Sequence, residues 1–215
     1  MVRDRPGAGI GVAMKQGPRL MLLGRQGSGK GTQAARLAAR YGIDHLSTGE
    51  LFRAAIDAGT ALGQQARHHM DDGELVPDDV VIGVVADRLC DPAVTARGFV
   101  LDGFPRTDVQ ADALEEILAG APLDLVAELE VPTSLVRERL EKRAADEDRD
   151  DDTAEAITRR LELYELETRP VAELYQRLGR LVVIDGTGDP DDVTERLIVA
   201  IDKRLGERPE VATPS

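Results

Sequence analysis

The 215-residue chain has one cysteine, no tryptophan, three tyrosines, three phenylalanines and four lysines against 23 arginines. A single thiol, Cys90, excludes an internal disulfide framework and any zinc site built from several cysteines. It fits a reducing compartment, and the expectation is a cytoplasmic protein. Cys90 itself is expected to pack near a helix end as a small hydrophobe. With aromatic residues at 3%, the core has to be built from Leu, Val, Ile and Ala. No apolar run reaches the roughly 18 residues of a membrane span, so none is expected. Basic charge is in deficit: 27 Lys and Arg face 40 Asp and Glu, for a net charge of −13. Such a chain repels polyanions, which argues against general nucleic-acid binding. The basic charge that remains is mostly arginine, whose planar fork grips phosphate. At 42% apolar and 31% charged the chain reads as globular and long enough for a sizeable core.

What is present is an alternation of short apolar runs with longer amphipathic ones. Strands are expected at 19–23, 43–46, 99–101, 125–131 and 181–184. Helices are expected at 29–41, 49–58, 62–70, from Pro77 to Cys90, at 108–119, from Pro132 onward, at 169–178 and at 189–205. In the Pro77 helix, Val80, Val81, Val84 and Val85 are expected to face inward. Asp152 and Glu155 suggest a capping box for a further helix running toward Thr168. This order predicts an α/β fold with a parallel sheet covered on both faces. Ligands in such folds lie at the carboxyl ends of strands, here in the loops after Leu23, Leu101 and Ile184. Residues 1–18 hold a short, half-glycine apolar stretch after Arg3 and Arg5; a disordered tail is expected, with Met14 open as an alternative start. Residues 206–215 read as a flexible polar tail, and the acidic run 146–152 as a solvated loop. A calcium loop there is disfavoured, because the glycine and terminal Glu of an EF-hand are missing.

Between the first strand and first helix lies Gly24-Arg25-Gln26-Gly27-Ser28-Gly29-Lys30-Gly31-Thr32. Gly24, Gly29 and Lys30 match the G-x-x-x-x-G-K frame, in which backbone N–H groups curl around a phosphate. The helix N-terminus adds partial positive charge and Lys30 a full one. Gly31 stands where a Ser or Thr usually binds magnesium, which argues against a GTPase-type site.

The Gly-Lys-Gly-Thr variant is found in nucleoside monophosphate kinases, and three further segments resemble that family in the expected order. They are Leu46-Ser47-Thr48-Gly49-Glu50-Leu51-Phe52-Arg53, Leu101-Asp102-Gly103-Phe104-Pro105-Arg106-Thr107 with Gln110 following, and Val131-Pro132 before a helix carrying Arg139 and Arg143, then Arg149 and Arg160. The resemblance, to the adenylate kinase family, spans about residues 19–205. It implies a P-loop NTPase-like α/β core with a five-stranded parallel sheet and two mobile inserts. One, about 47–76, closes over the acceptor nucleotide; the other, about 142–152, is a short lid without a zinc-binding hairpin. Where the family often has a small residue and Pro, this chain has Arg25 and Gln26, so stiffening by Pro is lost.

The resemblance also implies roles. Gly27, Ser28, Gly29, Lys30, Gly31 and Thr32 hold the donor ATP phosphates, with Arg143 and Gly188, beside Gly186, also on the donor. Arg53 and Arg106 hold the AMP phosphate. Arg139, Arg143, Arg149 and Arg160 surround the transferring group. Thr48, Glu74, Leu75, Val76, Gly103, Phe104, Pro105 and Gln110 complete the AMP site, with the Thr48 hydroxyl and the Gln110 amide on the adenine. A cis Phe104-Pro105 bond fits the tight turn before Arg106. Asp102, at a strand end, is placed to hold magnesium through water. His45, His68 and His69 fall outside these motifs and are expected to be structural or exposed. The implied activity is phosphoryl transfer between ATP, AMP and ADP by a monomer, with magnesium and without zinc. A UMP/CMP kinase, a P-loop nucleotide switch and an inactive nucleotide-binding module stand as alternatives.

Overall fold

The computed structural model describes residues 17–147 and 153–207. Five strands form one parallel sheet: β1 (Arg19–Leu23), β2 (Asp44–Ser47), β3 (Phe99–Asp102), β4 (Leu125–Glu130) and β5 (Leu181–Asp185), in the order β2-β3-β1-β4-β5. Side chains alternate across the sheet with period two. On β1, Met21 and Leu23 enter one core layer while Leu20 and Leu22 enter the other. On β3, Phe99 and Leu101 take the first layer and Val100 the second.

Helices cover both layers. The first face receives α4 (Asp78–Leu89), α6 (Asp108–Ile117) and α9 (Arg169–Arg177), through Val85, Leu114 and Tyr175 among others. The second receives α1 (Lys30–Tyr41) and α10 (Pro190–Gly206), through Leu37, Leu197 and Ile201. The core is aliphatic in the main, and all three phenylalanines are buried within it.

The expected acceptor insert consists of α2 (Thr48–Asp57) and α3 (Ala61–Asp71), started by Ser47 and Thr60 as side-chain caps. After β4 the chain runs through α7 (Thr133–Glu147), which packs on α8 (Ala154–Leu163) through Val136, Leu140, Ile157 and Leu161. A π-helical turn, Tyr164–Thr168, joins α8 to α9. Residues 148–152 of the expected lid, with Arg149 and most of the acidic run, lie outside the described residues. So do residues 1–16 and 208–215, which make up most of both expected tails.

Four local expectations differ from the structure. Cys90 is exposed, because the buried stripe of α4 is Val81, Val85 and Leu89, and Cys90 falls about 100° off that stripe. Val80 and Val84 are accordingly half-buried at its flank. The helix expected to start from an Asp152 capping box is capped instead by Thr153, whose hydroxyl accepts from the Ala156 N–H at 3.1 Å; Asp152 itself lies outside the described residues. A six-residue helix, α5 (Pro92–Arg97), was too short to leave a periodic signal, although Asp91 caps it and Pro92 opens it.

Candidate active site

The carboxyl ends of β1, β2, β3 and β5 open into one cavity of about 660 Å³. Its floor is the loop after β1. Gly24 has φ +136°, and a Cβ there would stand 2.8 Å from the Leu129 carbonyl oxygen, so glycine alone fits the turn. Gly29 takes the left-handed conformation at the N-cap of α1 and offers no side chain to the helix N–H groups, which stay open to an anion. The Ser28 hydroxyl is buried and without a hydrogen-bond partner among the described residues. A buried donor left unmade is costly, and a phosphate oxygen would satisfy it.

Lys30 leans back on this loop, its Nζ donating to the carbonyls of Gly24 at 2.7 Å and Arg25 at 3.0 Å. Burial pulls its pKa down to about 8; Asp102 opposes the shift, and the charges of Arg106 and Arg143 add to it. Asp102 is buried at the end of β3. Burial alone would raise its pKa, but the contact with His45 and the charges of Lys30 and Arg106 outweigh burial and hold it below the usual carboxylate range. An ionised carboxylate facing the phosphate loop is a hard oxygen donor, which suits magnesium held through water.

Arg106 sits at the heart of the site. Burial lowers its pKa; Asp102 opposes that, while Arg160 and Arg53 add to it. It stays charged all the same, since a guanidinium does not lose its proton in proteins. Its Nε donates to the Gly103 carbonyl at 2.9 Å, and its own carbonyl accepts from the Thr168 hydroxyl at 3.0 Å. Gly103 has φ +82°, and a Cβ there would stand 2.9 Å from the Thr48 hydroxyl oxygen. The Phe104-Pro105 bond is cis.

A second, smaller cavity adjoins the first, under α2, α3 and the start of α4. Gln26, Gly49, Arg53, Leu75, Gly103, Arg106 and Arg160 border both. Every sequence-implicated residue within the described range lines one cavity or the other. Gly27, Ser28, Gly29, Gly31, Thr32, Arg139, Arg143, Gly188, Asp102, Phe104 and Pro105 line the larger. Thr48, Glu74, Val76 and Gln110 line the smaller.

Two of these side chains are not disposed as expected. The Thr48 hydroxyl gives its proton to the Gly103 carbonyl at 3.0 Å, so toward a ligand it can only accept. Gln110 is buried, and its amide already has protein partners: Oε1 accepts from the Arg106 N–H at 2.8 Å and Nε2 donates to Asp78 Oδ1 at 2.7 Å. Each amide atom keeps one further valence for a base.

Contacts behind the site left no signal in the sequence. His45, expected to be structural or exposed, is half-buried, with its Nε2 3.7 Å from Asp102 Oδ2. In the parallel register of β2 and β3, His45 faces Val100 and Ser47 faces Asp102, which brings the two side chains to one face. Arg25 makes a charge-assisted pair with Glu165 and stacks over the Tyr164 ring at 5.3 Å from its centroid, so the π-helical turn braces the loop that lacks Pro. The Gln26 amide oxygen, oriented to satisfy the network, accepts from Arg143 Nη2 and Arg160 Nη1 at 3.2 Å each. Arg160 Nη2 also donates to the Met70 carbonyl at 2.8 Å, tying α8 to the end of α3.

Among the described residues no cluster of three or more His, Cys, Asp or Glu side chains is disposed to hold a metal ion, and no helix is long and apolar enough to cross a membrane.

Comparison with known proteins agrees with this geometry. The family model described as adenylate kinase matches residues 22–180. An adenylate kinase of Stenotrophomonas maltophilia (strain K279a) is 49% identical over 185 residues, covering 85% of this chain and 98% of that protein. One from Xylella fastidiosa (strain 9a5c) is 48% identical over the same shares. One from Micrococcus luteus is 49% identical over 85% of this chain and 90% of its own length.

Proposed function

The chain belongs to the adenylate kinase family, and on that premise we propose that it transfers the terminal phosphoryl group of ATP to AMP, reversibly, giving two ADP. The observation that carries the reading is the shared border of the two cavities. Arg106 and Arg160 face both, so a group held over the β1 loop can pass to an acceptor in the smaller cavity without leaving a cationic wall. Phosphoryl transfer asks for positioning and charge neutralisation more than covalent chemistry. An AMP phosphate is largely ionised near neutral pH, its second pKa being about 6. No general base is required.

In this reading Lys30 and the loop from Gly27 to Thr32 hold the donor phosphates. Arg143 and Gly188 hold the rest of the donor. Arg53 and Arg106 fix the AMP phosphate; Arg139, Arg143, Arg149 and Arg160 gather around the group in flight. Thr48, Glu74, Leu75, Val76, Gly103 and Gln110 hold the AMP base and ribose. Asp102 would hold magnesium through water, and the ion would neutralise charge developing on the phosphates. Residues 47–76 and 142–152 act as two inserts that close when both substrates are bound, which keeps water from the donor. The protein works as a cytoplasmic monomer without zinc.

A coupled assay tests the activity. ATP plus AMP should give ADP, with CMP and UMP poor acceptors and ATP alone giving no phosphate. Phosphate release from ATP alone, or equal use of CMP, would overturn the assignment.

The depressed Lys30 pKa predicts a pH dependence for donor binding. Below about pH 8 the amine is charged in the empty site and meets the phosphates directly. Above that value it is neutral until ATP arrives, and binding has to restore the proton. ATP affinity should therefore weaken by up to about tenfold per pH unit above the Lys30 pKa. Titration calorimetry between pH 7 and 9.5 should show that slope, with proton uptake on the alkaline side. Lys30→Met should bind weakly but without the slope; an unchanged slope would put the titrating group elsewhere.

A further inference from the structure

The acceptor cavity has a second layer behind it. Asp78 is the first residue of α4 and does not line the cavity, yet its Oδ1 accepts from Gln110 Nε2 at 2.7 Å and from the Thr107 hydroxyl at 3.1 Å. Thr107 in turn caps α6, accepting from the Gln110 N–H at 3.2 Å. One carboxylate thus ties the start of α4, just after the acceptor insert, to the start of α6 and to the side chain aimed at the base.

We propose that Asp78 is a specificity-determining positioning residue, which locks the Gln110 amide in the one orientation that reads a 6-aminopurine and refuses a 6-oxopurine. The inference rests on the smaller cavity being the acceptor-base pocket.

The chemistry is one of donor and acceptor order. A side-chain amide presents an acceptor beside a donor, and turned over it presents the reverse. Adenine offers its 6-amino donor beside the N1 acceptor. A 6-oxopurine offers an acceptor beside the N1–H donor. An amide free to turn would serve both. Here Oε1 is held by the Arg106 N–H and Nε2 by the Asp78 carboxylate. Turning it over would set the amide oxygen against the carboxylate and the NH2 group against the Arg106 N–H, losing both bonds. The pocket also keeps the base from turning: Phe52, Val76 and Val81 are buried apolar walls. Thr48, its proton given to Gly103, presents only an acceptor, which also suits an amino group. Without Asp78, one of the two pins on the amide is gone.

The test compares AMP with IMP as acceptors, ATP as donor, in the full-length protein. In Asp78→Ala the ratio of kcat/KM for AMP over IMP should fall by about ten- to hundredfold, the weight of a hydrogen bond to a charged group. AMP use should drop while IMP use holds or rises. Asp78→Asn keeps an oxygen that can accept from Nε2, and should retain most of the parent ratio. If Asp78→Ala does not fold, Asp78→Ser serves, since it suits a helix start but is too short to hold the amide. Equal losses for both nucleotides would show a merely structural residue, and an unchanged ratio would overturn the proposal. Gln110→Leu separates this from the underlying reading. If that variant keeps the AMP preference, the base pocket is misassigned. If it loses the preference while Asp78→Ala keeps it, only the role of Asp78 falls.

Discussion

Lys30→Met is expected to lower kcat/KM by about 10²–10³ or more, the scale for removing one preorganised charge from a transition state. The fold should survive. Lys30 is a partly buried residue whose stem methionine matches closely, and its two bonds, to the carbonyls of Gly24 and Arg25, lie within the loop itself. Those bonds also explain why the loss exceeds that of an exposed cation. In the empty site the amine organises the loop; with phosphate bound it becomes charge aimed at the reacting group. Steady-state kinetics with ATP and AMP, beside a thermal melt, give the answer. A folded variant with near-normal turnover would remove the donor site from this loop.

Arg106→Lys is the second large effect. A lysine keeps the charge, so a site needing only charge would tolerate it. Arg106 does more: its Nε is fixed on the Gly103 carbonyl while the rest of the guanidinium borders both cavities. A single ammonium cannot hold that carbonyl and grip a phosphate with two parallel bonds. The kcat/KM for AMP should fall by at least about 100-fold, since the loss spans both binding and transfer. ATP affinity, set mostly by the β1 loop, should change little by comparison. Parallel losses for ATP and AMP would mean that Arg106 organises the whole cleft and does not belong chiefly to the acceptor.

How far the site could be read in advance follows from how local each part is. The loop from Gly24 to Thr32 is contiguous, and Gly24, Gly27 and Gly29 take positive φ angles that other residues rarely adopt. The turn at Gly103-Phe104-Pro105-Arg106 is local in the same way. The Asp78–Gln110 pair, 32 positions apart, has no such signature. Neither does His45 beside Asp102, which exists because β2 lies next to β3 in a particular register. Arg25 and Gln26 read as a loss of stiffness; packing supplied Glu165, Tyr164, Arg143 and Arg160 to brace the loop in another way.

By itself, then, the amino-acid order determined the alternation of strands and helices, the parallel sheet and the phosphate loop. These depend on periodicity, propensity and glycine angles within a few residues. Only the tertiary structure decided that Cys90 faces solvent and that the Thr48 hydroxyl and Gln110 amide are engaged from behind. Those outcomes depend on which surfaces meet across the sheet and between helices, and a side chain's partner there can stand a hundred residues away.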